Sequence, residues 1–375
     1  MLIGVPKEIK SDEYRIGLTP ESVKSLTQSG HQVMIENNAG LGIGKDNDAY
    51  EESGAEIVQN REEIFQRAEM IVKVKEPQLD ECALLRPDQI LFTYLHLAPD
   101  PDQVKALIES GCRAIAYESV RADDGTYPLL TPMSEVAGRM AVQAGATCLE
   151  KVKGGLGRLI GGVTDVDPAD VVVIGGGVVG YNSIEIAIGM QANVTVLDKS
   201  PERLDQLESI FGEKLNAVLA TEENNQACIK EADIVIGAVL IPGASAPKLI
   251  SRELVQSMRK GSVLVDVAID QGGCSETSKP TTHSDPTYVE EGVLHYCVAN
   301  MPGAVPMTST YALNNATLPY VLSLANEGFN KALILDKGFC DGLNIHNGKV
   351  TITAVAEEQG YDYHDPIELI RGLDQ

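Results

Sequence analysis

The stretch Asp170-Val171-Val172-Val173-Ile174-Gly175-Gly176-Gly177-Val178-Val179-Gly180 constrains this chain more than any other. An apolar run ending in G-x-G-x-x-G reads as a buried strand, a tight turn and the start of a helix. A second strand, Val194-Thr195-Val196-Leu197-Asp198, follows one helix later and ends in an acid. Each glycine has a steric reason. Gly175 permits the turn out of the strand, Gly177 lets backbone approach a pyrophosphate, and Gly180 lets the helix press close to the sheet. The first N–H groups of the helix, at the positive end of its dipole, then face the phosphates. Asp198 lies about 20 residues beyond the glycines, where a carboxylate accepts from ribose hydroxyls and repels a 2′-phosphate. The pattern predicts a dinucleotide site that favours NAD over NADP, with Lys199 and Arg203 as nearby cations that weaken the preference.

The 375 residues are too many for one core and sufficient for two domains. No apolar run is long enough to cross a bilayer, and Met1-Leu2-Ile3-Gly4-Val5-Pro6-Lys7-Glu8 acquires charge too soon for a signal peptide. It reads as a first buried strand. Seven scattered cysteines form neither a disulfide ladder nor a Cys-x-x-Cys pair, which predicts a reducing, cytoplasmic home. No histidine and acidic cluster has ligand spacing, so no metal is predicted. A net charge of −24 argues against nucleic acid and against an anionic membrane as partners. It leaves an anionic small molecule possible in principle, because local cations decide that.

Ahead of the glycine motif, short apolar runs alternate with helical patterns. Gln32 to Ile35, Met70 to Val74, Ile90 to Leu95 and Ala114 to Tyr117 read as strands; Glu21 to Ser29, Arg61 to Arg67 and Pro101 to Ser110 read as helices. That alternation predicts a second parallel sheet without the nucleotide fingerprint. An alanine-rich helix is expected from Ser134 to Leu149, further strands near Asp233 to Ile236, Val263 to Val267 and Val293 to Tyr296, and a helix near Thr308 to Asn326. The tail beyond it is too short for a domain of its own. The prediction is therefore an α/β chain of two Rossmann-like doubly wound domains with a cleft between them. The first domain is discontinuous, 1–132 with 305–375, and 133–304 form the nucleotide-binding domain.

Chemistry on a small acid needs a cation for the carboxylate and a proton carrier near the reacting carbon. In such sheets both belong at the carboxyl ends of strands. His96 follows the run Leu91 to Leu95 and can exchange protons near neutrality. Asp270 ends Val263-Leu264-Val265-Asp266-Val267-Ala268-Ile269-Asp270 ahead of a glycine turn, where it can either serve a reaction centre or cap the turn. Lys75 follows the Met70 strand and Arg15 lies in the loop after the first strand; either can clamp a carboxylate. His31, His283, His295, His346 and His364 have no comparable placement and read as structural.

Gly4-Val5-Pro6-Lys7-Glu8-Ile9-Lys10 with Arg15 and Leu18-Thr19-Pro20 resembles the N-terminus of the alanine dehydrogenase family. So do Val72-Lys73-Val74-Lys75-Glu76-Pro77, Thr93-Tyr94-Leu95-His96-Leu97-Ala98 and Val265-Asp266-Val267-Ala268-Ile269-Asp270-Gln271-Gly272-Gly273. The most specific piece is Ala299-Asn300-Met301-Pro302-Gly303-Ala304-Val305-Pro306 with Asn315-Ala316-Thr317-Leu318-Pro319-Tyr320. The resemblance covers nearly the whole chain in order. It implies reversible oxidative deamination of L-alanine with NAD to pyruvate, ammonium and NADH. By position it makes Arg15 and Lys75 the carboxylate clamp, His96 the acid/base at the carbinolamine stage, and Asp270 a second catalytic group. It implies cofactor contacts from Ser134, Gly175, Gly177, Val178, Val179, Gly180, Asp198, Arg203, Val239 and Leu240. Val267, Ala268, Ile269, Asp270, Lys279, Val298, Ala299, Asn300 and Met301 complete that set. It further implies a cytoplasmic homo-oligomer, typically a hexamer. Met307 stands where the family pattern has arginine, and Thr164-Asp165 replaces a proline-glycine turn. Three other readings share part of the pattern: a transhydrogenase nucleotide-binding subunit, which need not retain Arg15, Lys75 and His96 together; a related lysine-pathway dehydrogenase using a larger amino acid; and a non-catalytic NAD sensor, which needs neither His96 nor Asp270.

Overall fold

A computed structural model describes residues 1–239 and 246–372. Its strands are β1 Leu2–Val5, β2 Gln32–Glu36, β3 Glu56–Val58, β4 Met70–Val72, β5 Ile90–Thr93 and β6 Arg113–Ala116. Next come β7 Asp170–Ile174, β8 Asn193–Asp198, β9 Leu215–Leu219, β10 Ile234–Gly237 and β11 Val263–Asp266. The last four are β12 Thr287–Glu290, β13 Val293–Tyr296, β14 Leu343–His346 and β15 Lys349–Val350. The chain divides into two compact units, Met1–Met133 with Val305–Gln375, and Ser134–Ala304.

In the first unit the sheet order is β15-β14-β6-β5-β4-β1-β2-β3. From β3 to β6 every pairing is parallel, so the order 3-2-1-4-5-6 is that of a doubly wound sheet. The strands are short and buried on both faces, as Ile3, Val5, Ile71, Val72, Leu91 and Phe92 show at 0% exposure. Helices Pro20–Gln28, Arg61–Arg67 and Pro101–Ser110 cross between them. Thr19, Asn60 and Asp100 cap these helices through their side chains, with proline at the first position of two of them. The C-terminal stretch returns to this sheet: β14 adds antiparallel to β6, and β15 to β14.

The second unit holds a sheet of order β12-β13-β11-β10-β7-β8-β9, parallel throughout except for the β12–β13 hairpin. Here too the first strand of the unit, β7, lies between β8 and β10, so the winding reverses beside it.

Most predicted elements appear within a residue or two of their expected ends. The runs at 70–74 and 90–95 are shorter as strands than predicted, because β4 stops at Val72 and β5 at Thr93. Past the strand ends Lys73 and Tyr94 still donate to backbone carbonyls, and the amides of Val74, Lys75, Leu95 and His96 then turn to the Glu8 and Glu118 carboxylates. β3, β9, β12, β14 and β15 have no counterpart in the sequence reading; each lies at or near a sheet edge and is too short or too polar to show a clear apolar period.

Candidate active site

The reversal of winding in the first sheet falls between β1 and β4, and the loops leaving their carboxyl ends carry Arg15 and Lys75. Arg15 is 3% exposed, although it lies in a long loop. Glu13 grips it in parallel, with Nε–Oε1 at 2.7 Å and Nη2–Oε2 at 2.6 Å, while Nη1 stands 3.0 Å from the Met133 sulfur. Burial opposes the charge of Arg15, and Glu13 more than restores it. Two contacts fix the loop. Gly17 runs so close to β4 that a Cβ there would meet the Val72 carbonyl oxygen at 2.5 Å. From the returning helix Pro306–Glu327, Asn314 accepts from the Thr19 amide at 2.9 Å and donates to the Gly17 carbonyl at 3.0 Å. Sequence reasoning missed Glu13 and Asn314. Glu13 sits two residues from Arg15 and was within reach of a charge-pairing argument; Asn314, nearly 300 residues away, was not.

Lys75 is 6% exposed, with its ammonium 3.4 Å from Glu76 Oε2. Just beneath it lies a buried charge cluster. Lys73, fully buried, donates to Glu8 Oε2 at 3.0 Å and Glu81 Oε1 at 2.9 Å. Burial disfavours the Lys73 charge, but the two carboxylates outweigh it and hold the ammonium above its usual range. Burial pushes the Glu8 carboxyl up, against the pull of Lys73. The other Glu8 oxygen receives the amides of Val74 at 2.6 Å and Lys75 at 3.4 Å. Glu8, Lys73 and Glu81 therefore stitch the loop after β1 to the chain leaving β4.

His96 leaves β5 in a left-handed conformation, φ 50°, uncommon for a residue with a Cβ. Glu118 supports the turn by accepting the amides of Leu95 at 3.1 Å and His96 at 2.7 Å, and the same Oε1 lies 3.9 Å from His96 Nδ1. The imidazole lies parallel to the Tyr94 ring and is 40% exposed. Tyr94 itself is pinned by a 2.5 Å hydrogen bond to the Leu129 carbonyl. The ring is thus held on a left-handed turn with its face open, between the buried Leu95 and Leu97.

At the corresponding reversal in the second sheet, Gly175 turns with φ 97° and its added Cβ would meet Ala238 O and Val239 Cγ2 at 3.1 Å. The fingerprint loop thus sits against the end of β10, which brings Val239 beside the glycines. Gly180 lets the helix approach β7 closely, as expected: a Cβ would lie 1.8 Å from the carbonyl oxygen of Gly175, the first residue past the strand, and 3.4 Å from Val173 on it. Gly177 precedes helix Val178–Gly189 and has nothing within 4 Å of where its Cβ would be. Space there, with helix N–H groups behind it, suits a pyrophosphate. Val178 is 41% exposed in the first turn, whereas Val179 is buried and can offer only its amide. Gly138, whose Cβ would be 2.3 Å from Val179 O, lets helix Thr131–Cys148 pack on the same turn. Ser134 is buried in that helix.

Asp198 ends β8 with Oδ2 accepting the Gly176 amide at 2.7 Å and Oδ1 the Ser200 amide at 2.9 Å. Each oxygen keeps a second lone pair for a ribose hydroxyl. Arg203 Nε donates to the Gly176 carbonyl at 2.6 Å and Nη1 to Gln206 at 3.0 Å, so this cation braces the loop. Asp270 is exposed in the 3-10 turn Val267–Gln271 after β11, and Oδ1 accepts the Asn300 amide at 3.2 Å. Asn300 also has a left-handed backbone, φ 64°. Ala268, Ile269, Val298 and Met301 are core residues whose side chains face inward, and Val267 and Ala299 are half-buried beside them. Lys279 is directed to Glu290 at 3.1 Å and the Tyr288 ring. Asp266, not singled out from sequence, organises this corner by accepting from Ala268, Cys274, Ser275 and Ser278. Leu240 lies outside the described residues. Among the described residues no cluster of three metal-binding side chains occurs, and no helix is long and apolar enough to cross a membrane.

Residues 4–137 match the family model for the alanine dehydrogenase/PNT N-terminal domain, and residues 141–353 that for the alanine dehydrogenase/PNT C-terminal domain. The chain is 54% identical over 370 residues to the alanine dehydrogenase of Halomonas elongata, covering 99% of this chain and 100% of that protein. It superposes on a solved L-alanine dehydrogenase with a TM-score of 0.92 at 49% identity, covering 96% of this chain and 99% of that one. A transhydrogenase from Sinorhizobium meliloti shares the fold, with a TM-score of 0.81 at 24% identity over 94% of this chain and all of that one.

Proposed function

The chain belongs to the alanine dehydrogenase/PNT family, and on that premise we propose that it catalyses the NAD-dependent oxidative deamination of L-alanine to pyruvate and ammonium, and the reverse reductive amination. The observation that carries this reading is that Arg15, Lys75 and His96 all lie in the segments leaving the carboxyl ends of β1, β4 and β5, three strands adjacent in one parallel sheet. Two buried cations suit a small carboxylate, and the histidine beside them suits proton transfer.

Gly175, Gly177, the amides at Val178 and Val179, and Asp198 are the residues that would hold NAD, with Arg203 bracing their loop. Bound there, NAD supplies the acceptor for hydride from C2 of alanine. Arg15 and Lys75 hold the carboxylate and so fix C2. His96 takes a proton from the water that adds to the oxidised carbon, and returns one to the departing nitrogen. Asp270 is the second catalytic group, with its orientation set by the Asn300 amide. Ser134, Val239, Val267, Ala268, Ile269, Lys279, Val298, Ala299, Asn300 and Met301 line the cofactor site in this reading. For the buried ones, backbone groups make the contact.

Deamination of alanine in its ammonium form releases a net proton, so oxidation is favoured in alkali and amination nearer neutral pH. Purified protein with NAD and L-alanine at alkaline pH is expected to raise absorbance at the NADH band, with D-alanine and NADP as silent controls. No rise from protein that still binds NADH would overturn the reading. The same reading makes the chain a cytoplasmic homohexamer; sedimentation equilibrium giving the mass of a monomer would count against the assembly.

A further inference from the structure

Lys75 is gripped at both ends. Its amide and that of Val74 point to Glu8 Oε1, its carbonyl accepts from Thr93 Oγ1 at 2.9 Å, and its ammonium faces Glu76 Oε2 at 3.4 Å. Glu76 is anchored in turn: Lys10, in the loop after β1, donates to its Oε1. Pro77 follows Glu76 and restricts that residue to extended backbone. Oε2 is buried and has no hydrogen-bond partner among the described residues, and the Lys75 ammonium stands 3.4 Å from it. Burial works against the Glu76 charge, but Lys75, Lys10 and His96 outweigh it and bring the carboxyl down to about 2.

A lysine ammonium is a point charge on a flexible stem, and binding through it is only as specific as the stem is fixed. We infer that Glu76 is the positioning residue for Lys75, holding the ammonium where a substrate carboxylate meets it, while Lys10 holds Glu76 from the neighbouring loop. Glu76 touches no reacting atom in this role. The inference rests on the reading of Lys75 as a substrate-carboxylate ligand.

The test is pyruvate affinity, read by quenching of NADH fluorescence in the protein–NADH complex without ammonium, so that no turnover is needed. E76Q keeps the shape and removes the charge. Its pyruvate Kd is expected to rise about tenfold, with NADH Kd and melting temperature unchanged. In a K75M background, E76Q is expected to add nothing further, because the effect passes through Lys75. K10M changes a half-exposed residue and is expected to weaken pyruvate in the same direction by about threefold. An unchanged or tighter pyruvate Kd in E76Q overturns the assignment, tighter binding marking Glu76 as a competitor for Lys75. An undiminished E76Q effect in the K75M background also overturns it. If E76Q fails to fold, K10M decides by the same titration. A wild-type protein that binds NADH but gives no pyruvate quench would instead defeat the functional reading itself, and this inference with it.

Discussion

The two sheets reverse their winding in the same way, with β1 beside β4 and β7 beside β10, yet the loops at the two reversals are built oppositely. After β7 only residues 175–177 precede the next helix, so the helix N-terminus is delivered straight to the crevice. After β1, residues 6–19 intervene before Pro20, and the crevice is filled by side chains: Glu8, Lys10, Glu13 and Arg15. The short loop recognises an anion through backbone N–H groups and needs glycine. In the proposed function the long loop would recognise one through buried cations, which need counter-charges to keep them in place. One topology thus supplies two crevices and leaves the chemistry to loop length.

If the division is real, damage to one crevice should spare the ligand of the other. The largest effect is expected from His96→Ala. Turnover should fall by roughly a hundredfold to ten-thousandfold, the range for losing a general acid/base, while NADH affinity stays within about twofold. Steady-state rates beside fluorescence titration of NADH check this. Unchanged turnover would remove His96 from the mechanism.

Gly180→Ala attacks the other crevice. Its methyl group would sit 1.8 Å from the Gly175 carbonyl oxygen, which cannot retreat without opening the loop. NADH affinity is expected to fall about a hundredfold, with a loss of about 2–4 kcal/mol in stability. Calorimetric titration and thermal melts of the variant measure both. Near-normal affinity would mean the loop relaxes freely and the glycine is not required for the turn.

This contrast also explains what the sequence disclosed. Backbone recognition leaves a periodic trace, because Gly175, Gly177 and Gly180 must recur at set intervals, so the second crevice was legible in one motif. Side-chain recognition leaves no such trace. Arg15, Lys75 and His96 can be placed at strand ends from sequence, but only the resemblance spanning the chain joins them into one site. The groups that hold them were not legible. Glu8, Lys73 and Glu81 are separated by up to 73 residues and look like ordinary surface charges until the parallel pairing of β1 with β4 brings them together. Asn314 reaches the Arg15 loop from the far end of the chain. For Gly180 the spacing showed that a Cβ is excluded, but not that the Gly175 carbonyl oxygen is the atom that excludes it.

The smallest effect tests how sharply the second crevice selects its ligand. Asp198 has two jobs, supporting the Gly176 amide at 2.7 Å and presenting negative charge at the end of β8. Asp198→Asn keeps an oxygen for the Gly176 amide but removes the charge and, with it, the acceptor of the Ser200 amide, so the glycine loop should survive while the turn after β8 loosens. NADP carries the 2′-phosphate that the carboxylate repels, and Arg203, though bound to the Gly176 carbonyl through Nε, remains beside it. The ratio of kcat/KM for NAD over NADP is therefore expected to fall about tenfold, chiefly through better use of NADP. Measuring both cofactors with saturating L-alanine gives that ratio. A fall caused by NAD alone would show that Asp198 works by bonding the ribose, and a ratio left unchanged would move cofactor choice away from the end of β8.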